Sequence, residues 1–137
     1  MAIEVHIQCV EEFSMHVTTA LSDALGRYLD LTSEQLKLTA ANMANVDTPG
    51  YKTKGFDFER EFARQLGIAG GASVATGTTE AAVSDVDGLV ARPDGNNVSM
   101  DREGIQLAKS QMQFRLGEEL LKHEYSMVMS AIHAEAK

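Results

Sequence analysis

The stretch Ala41-Asn42-Met43-Ala44-Asn45-Val46-Asp47-Thr48-Pro49-Gly50-Tyr51-Lys52 constrains this chain more than any other, because it stops a long helical pattern. Proline disfavours helical geometry at the residue before it, and Pro49-Gly50 suits the two central positions of a type II turn, with glycine supplying the positive φ. The preceding helix is therefore expected to end between Asn45 and Asp47. Asn42 and Asn45, three residues apart, share one helix face, on a stripe that is apolar further upstream. A polar pair on an apolar seam lowers stability and fixes register. On that reading Asn42→Ala leaves the turn intact and keeps or raises helicity, but loosens the register on which assembly depends.

The chain in order divides into five stretches. Residues 1–13 alternate Ile3, Val5, Ile7 and Cys9 with polar residues, a period of two that fits a mobile arm or a short segment docking on a neighbour. Over 14–47, Val17, Leu21, Ala24, Tyr28, Leu31 and Leu38 step by threes and fours into Asn42 and Asn45, which predicts one helix starting near Met15. Thr32-Ser33-Glu34-Gln35 resembles a capping box, but the heptad keeps its phase through it. The signature turn and a short amphipathic segment fill 48–66: Phe58, Phe62 and Leu66 are spaced by four, Asp57 can cap and Gly67 can terminate, the alternative being an extended, Phe-anchored segment.

Residues 67–98 are rich in Gly, Ala, Ser and Thr and predict a flexible insert. Within it Val83, Val86, Leu89 and Val90 could form a small hairpin or strand, since Asp87-Gly88 is a turn signal. From 99 to 135 a long helix is expected, with Ser99 as cap, Asp101 and Glu103 facing the positive dipole end, and only Gly104 and Gly117 weakening it. The fold class is therefore mainly α: two long antiparallel helices in a coiled-coil-like hairpin, joined by a loop-rich insert.

The second long helix carries two apolar stripes on roughly opposite sides. Ile105, Ala108, Met112, Leu116, Leu120 and Met127 form one; Leu107, Phe114, Leu121, Tyr125, Val128 and Ile132 form the other. A hairpin covers one stripe, so the second calls for a repeated subunit contact. The candidate interface residues are Leu21, Tyr28, Leu31 and Leu38 on the first helix, with Leu107, Met112, Phe114, Leu116, Leu121, Tyr125, Val128 and Ile132 on the second. The candidate signature residues are Asn42, Asn45, Asp47, Thr48, Pro49, Gly50 and Tyr51.

Chemistry is sparse. Twelve basic against twenty acidic residues give a formal charge of −8, which argues against nucleic acid, whose phosphates call for clustered Lys and Arg. His6, His16, His123 and His133 lack metal-ligand spacing, and Cys9 is the single cysteine, so neither a metal site nor an internal disulfide is expected. Gly67 to Gly71 matches neither a phosphate loop nor a dinucleotide fingerprint. No run of apolar residues is long enough to span a bilayer, and the first fifteen residues lack a cleavable secretory pattern. No cofactor and no catalysis are expected.

Asn42-x-x-Asn45 followed by Asp47-Thr48-Pro49-Gly50-Tyr51-Lys52 resembles the signature of the flagellar rod and hook family of bacterial axial proteins, and Asp94-Gly95-Asn96-Asn97-Val98 before a long helix is similar to its proximal rod members. The resemblance covers roughly 17–66 and 94–134; Met43 stands where the family often has Ile. It implies a structural subunit of the rod that self-assembles, packs with other rod subunits and transmits torque. It further implies contact with the basal-body adaptor FliE and the export gate, and export without a cleaved signal into the periplasmic basal body. The rival expectation is a cytoplasmic helical adaptor that binds a partner coiled coil through the same exposed stripe.

Overall fold

The computed structural model describes residues 19–67 and 81–135. They form, in order, α1 (Ala20–Ala44), β1 (Lys54–Gly55), α2 (Phe58–Gln65), β2 (Ser84–Asp85) and α3 (Met100–Glu135). The fold is mainly helical, with the two long helices packed on each other. The expected arm over 1–13, with Cys9, Met15 and Val17, lies outside the described residues.

α1 opens on a capped first turn. Thr19 is extended, at φ −91° and ψ 155°, and its hydroxyl accepts from the Ser22 amide while Ser22 reciprocates to the Thr19 amide. This capping box satisfies two amides left open by the first turn and starts α1 at Ala20, while the expected start near Met15 lies outside the described residues. The possible restart at Thr32 does not occur: Thr32 is fully buried and its Oγ1 donates 2.7 Å back to the Tyr28 carbonyl, inside a continuous helix. α1 stops at Ala44, with Asn45 as cap, rather than at residue 47, because Asn45 already leaves helical geometry to enter the turn.

α3 runs unbroken through Gly104 and Gly117. Its buried positions Glu103, Ser110, Gly117 and Glu124 recur every seven residues, and half-buried Leu107, Phe114, Leu121 and Val128 alternate with them. This is a three–four seam in which one of the two repeating positions is small or polar. The seam meets α1 at three heights. Thr19 Oγ1 donates 2.8 Å to Glu124 Oε1 at one end, and Asn42 Nδ2 donates 3.0 Å to Glu103 Oε2 at the other. Between them, a Cβ placed on Gly117 would stand 2.8 Å from Leu29 Cδ2 and 3.1 Å from Tyr28 Cδ1, so glycine is what lets the helices close there.

α2 packs by its rings on Tyr28 of α1. Asp57 caps it by accepting from the Arg60 amide at 3.1 Å, and Gly67 leaves it at φ 71°. Tyr28 makes edge contacts with Phe58 and Phe62 at centroid distances of 5.3 and 5.7 Å. The chain here is helical, and the extended alternative does not form.

Ser84–Asp85 does not fold back on Leu89 and Val90 as a local hairpin. It pairs with the chain leaving the signature turn, in an antiparallel register of Lys54 with Asp85 and Gly55 with Ser84, continued by a 2.8 Å bond from Val86 N to the Thr53 carbonyl. The Asp87-Gly88 turn forms, with Gly88 at φ 78°, but Val90 beyond it is 93% exposed. The ribbon pairs backbone groups of this segment with a chain that Asn42 and Asn97 already hold in place.

Candidate functional site

Two structures of interest stand out: a polar interlock at the signature turn and an uncovered apolar face on α3. Among the described residues only Leu31 and Val98 are buried apolar side chains, whereas Thr32, Thr39, Asn42, Thr53, Asn96 and Ser110 are all nearly inaccessible. Hydrogen bonding, then, holds much of what is buried.

Asn42 is the centre of the interlock. Its Oδ1 accepts from the Lys54 amide at 3.0 Å and from the Tyr51 hydroxyl at 3.3 Å; its Nδ2 donates to the Lys54 carbonyl at 2.9 Å and to Glu103. One amide therefore reads both backbone groups of Lys54, as a neighbouring strand would, and ties the turn to α3. Both donors and the acceptor oxygen are used. Asn45, on the half-exposed side, bonds locally: Nδ2 donates to the Ala41 carbonyl at 2.8 Å and Oδ1 accepts from Thr48 Oγ1 at 3.1 Å. The two asparagines thus do different work, and the expectation that Asn42→Ala leaves the turn intact does not fit these contacts.

The remaining signature residues shape the turn. Tyr51 N donates to the Thr48 carbonyl at 3.2 Å with Gly50 at φ 74°, and the Gly50 amide donates 2.9 Å to the Asp94 carbonyl. Thr48, Pro49 and Asp47 are exposed, and the Asp47 carboxylate lies 3.9 Å from the Arg92 guanidinium. Gly95 sits at φ 82°, where a Cβ would come 3.5 Å from the Gly50 Cα: two glycine turns stacked back to back.

Asn96, Asn97 and Arg92 complete the interlock, and sequence reasoning treated them only as a turn and its surroundings. Asn96 is fully buried; its Nδ2 faces the carbonyls of Asn45, Val46 and Thr48 at 3.0, 3.1 and 2.8 Å, and its Oδ1 accepts from Val98 N at 2.7 Å. It supplies the donor that the open end of α1 lacks, from a segment some fifty residues away. Asn97 Oδ1 accepts from the Thr53 amide at 2.7 Å, and Arg92 donates 3.1 Å to the carbonyls of Val46 and Val98. The available signal was the doublet Asn96-Asn97 directly after a glycine turn, residue types that hydrogen-bond backbone wherever regular structure ends.

An open cavity of about 320 Å³ lies beside the interlock, between α1, the ribbon and the start of α3, lined by Gln35, Leu38, Asn42, Phe56, Val86 and Glu103 among others. Among the described residues no group of His, Cys, Asp and Glu is arranged to hold a metal ion, and no helix is long and apolar enough to cross a membrane. The Arg64 side chain hydrogen-bonds the Glu61 carboxylate and holds it below its ordinary range, while Arg64 is raised in return. On α3, Glu119 raises Lys122 through a 3.0 Å contact.

The proposed interface residues are divided. Leu31 is buried at 1% exposure, Tyr28 and Leu38 are half-buried, and Leu21 is 53% exposed. On α3, Leu107, Phe114, Leu121 and Val128 lie half-buried on the intramolecular seam, whereas Met112, Leu116, Tyr125 and Ile132 are exposed. Met112 and Leu116, with Ile105, Leu120 and Met127, leave one long apolar face of α3 uncovered, and Tyr125 and Ile132 are exposed on roughly the opposite side.

A sequence-family model described as flagella basal body rod protein matches residues 29–52, the second half of α1 with the signature turn. Curated relatives extend over most of the chain. The flagellar basal body rod protein FlgB of Borrelia hermsii is 32% identical over 130 residues, 83% of this chain and 96% of the relative. FlgB of Cereibacter sphaeroides is 32% identical over 132 residues, 85% of this chain and 99% of the relative. FlgB of Salmonella typhimurium is 31% identical over 119 residues, 76% and 86% respectively.

Proposed function

The chain belongs to the FlgB family of flagellar basal body rod proteins and is a structural subunit of the rod, and from that premise we propose that it joins its neighbours through the exposed stripe Ile105, Met112, Leu116, Leu120 and Met127 on α3. That stripe carries the proposal: five large apolar side chains, each 47–73% exposed, follow one face of a helix whose other face is already engaged. A patch of that length on a chain built to assemble is a contact between subunits.

In this reading α1 and α3 act as an antiparallel hairpin of coiled-coil type. The pairing of Thr19 with Glu124 and of Asn42 with Glu103 supports the direction, and the seven-residue recurrence of the seam supports the packing. Torque passes between subunits as shear across many side-chain contacts, with the interlock keeping the hairpin from sliding. The subunit belongs at the proximal end of the rod, touching the adaptor FliE and the export gate, and reaches the periplasm without a cleaved signal. No chemical step is part of this function. The cytoplasmic-adaptor reading rests on the exposed stripe alone, which the rod reading already uses.

Met112→Asp combined with Leu116→Asp tests the proposal. Both side chains are exposed in the free subunit, so its helicity should stay within a few per cent of the parent by circular dichroism. In the assembly each buried charge should cost several kcal/mol, abolishing rod formation and swimming. Normal motility of the double variant sinks the assignment of this face.

A further inference from the structure

The stripe that α3 turns toward a neighbour is not wholly apolar. Lys109 stands within it, four residues after Ile105 and three before Met112, and so on the same face. It is exposed, and it makes no hydrogen bond or ion pair among the described residues. Once the stripe is covered its ammonium loses water, and that charge opposes assembly unless the opposing surface supplies acceptors.

One surface of the chain has acceptors to spare. The cavity of about 320 Å³ beside the interlock is walled by Glu103, 3% exposed, and Thr39, 2% exposed. Glu103 Oε2 accepts from Asn42, but Oε1 has only the Arg102 guanidinium, 3.6 Å away and beyond hydrogen-bond distance. The Thr39 hydroxyl and Gln35 Oε1, on the same wall, have no hydrogen-bond partner among the described residues. The exposed lining is balanced, Asp57 and Asp85 against Lys54 and Arg102, so buried Glu103 sets the charge. Leu38 and Phe56 offer apolar contact to a methylene stem. An ammonium, with three donors and no acceptor, fits such a wall.

With the stripe taken as a subunit contact, the reading on which this rests, we propose that Lys109 of one copy of this chain seats in the cavity of the next, its ammonium between Glu103 Oε1 and the Thr39 hydroxyl. The two surfaces lie on different sides of the subunit. Glu103 is on the face of α3 that meets α1, and Lys109, six residues on, is about 120° around the helix. A contact between unlike surfaces of identical chains is heterologous: it repeats head to tail and builds a ring or a helical filament, where a contact of stripe with stripe would close as a pair. The lysine thereby gives the apolar stripe a direction and a register.

Cross-linking in isolated rods tests the pairing of surfaces. In a Cys9→Ser background, Met112→Cys marks the stripe and Ser84→Cys marks the exposed lining of the cavity. A short bismaleimide should join the double variant into a ladder of dimers and higher species, and neither single variant should form one. Met112→Cys alone should label at least tenfold more slowly in rods than in the free subunit. Slow labelling without a ladder overturns the cavity assignment and leaves the stripe a subunit contact; equal labelling overturns both. A ladder from Met112→Cys alone means that stripes face each other, and overturns it too. Lys109 is tested without cysteines. Because it has no partner in the free subunit, Lys109→Met and Lys109→Arg should both keep the parent circular dichroism. Rod yield should fall at least tenfold for Lys109→Met and hold for Lys109→Arg, which keeps charge and donors. Parental rod yield from Lys109→Met overturns the proposal.

Discussion

At Asn42 the local rule and the tertiary structure pull in opposite directions, and the tertiary structure wins. Alanine is the better helix former by a few tenths of a kcal/mol, but removing the Asn42 amide strands the Lys54 N–H and C=O and leaves the Glu103 carboxylate without its donor. Each orphaned buried group costs about 1–3 kcal/mol. Asn42→Ala is therefore expected to destabilise the free subunit by about 3 kcal/mol in urea unfolding. An unchanged midpoint would show that solvent replaces these bonds without loss. The two helical glycines of α3 separate in the same way. Gly104 has nothing within 4 Å of a would-be Cβ, whereas Gly117 has Leu29 at 2.8 Å. Gly104→Ala should stabilise by about 1 kcal/mol, and Gly117→Ala should fall below it by about 2 kcal/mol as the seam is forced apart. Thermal melts of the pair decide it, since equal gains would mean that the helices yield freely.

For the elements, legibility followed apolar periodicity. α1 and α3 could be read because helix caps and threes-and-fours spacing survive in a single sequence. α2 was legible from Phe58, Phe62 and its Asp57 cap. The ribbon was not: Ser84 and Asp85 have no strand-like pattern, and their partner lies thirty residues earlier, where only the fold brings it near. The seam was half legible, since Leu107, Phe114, Leu121 and Val128 register as apolar, but Glu103, Ser110, Gly117 and Glu124 register as surface. α2 also carries a buried ionisable anchor. Glu61, 5% exposed, is held below its usual 4.5, first by the Arg64 hydrogen bond. A carboxylate depressed in the folded state adds stability above its unfolded value and loses it as pH falls through the folded one. Arg64 is partly exposed, so solvent screening keeps the contribution small. The Tyr28–Phe62 contact, followed by aromatic NMR shifts, should accordingly weaken as pH falls below about 4.5, and Glu61→Gln should flatten that dependence. A variant that keeps the same acid transition would place its origin elsewhere.

On the scale of the whole molecule, the free subunit has a strong middle and thin ends. The interlock joins the close of α1, the turn, the ribbon and the Arg92–Val98 segment through buried hydrogen bonds, next to buried Val98. Away from it α3 offers exposed Met112, Leu116, Leu120, Met127 and Met129, and ordering a residue costs about 1–2 kcal/mol that solvated side chains do little to offset. Stability of this kind is not uniform: amides near the interlock open only with the whole domain, and those on a lightly packed helix end open locally. Hydrogen exchange of the dilute subunit should therefore show the slowest amides at Thr53, Lys54 and Val98 and the fastest helical ones beyond Tyr125. In the assembled rod the amides of 105–127 should slow by about a hundredfold or more, as local opening there comes to require separating subunits. Equal protection along α3 in the free and assembled forms would mean that the exposed stripe meets no neighbour, and the rod would have to be held through the loops around Val90 and Pro49 instead.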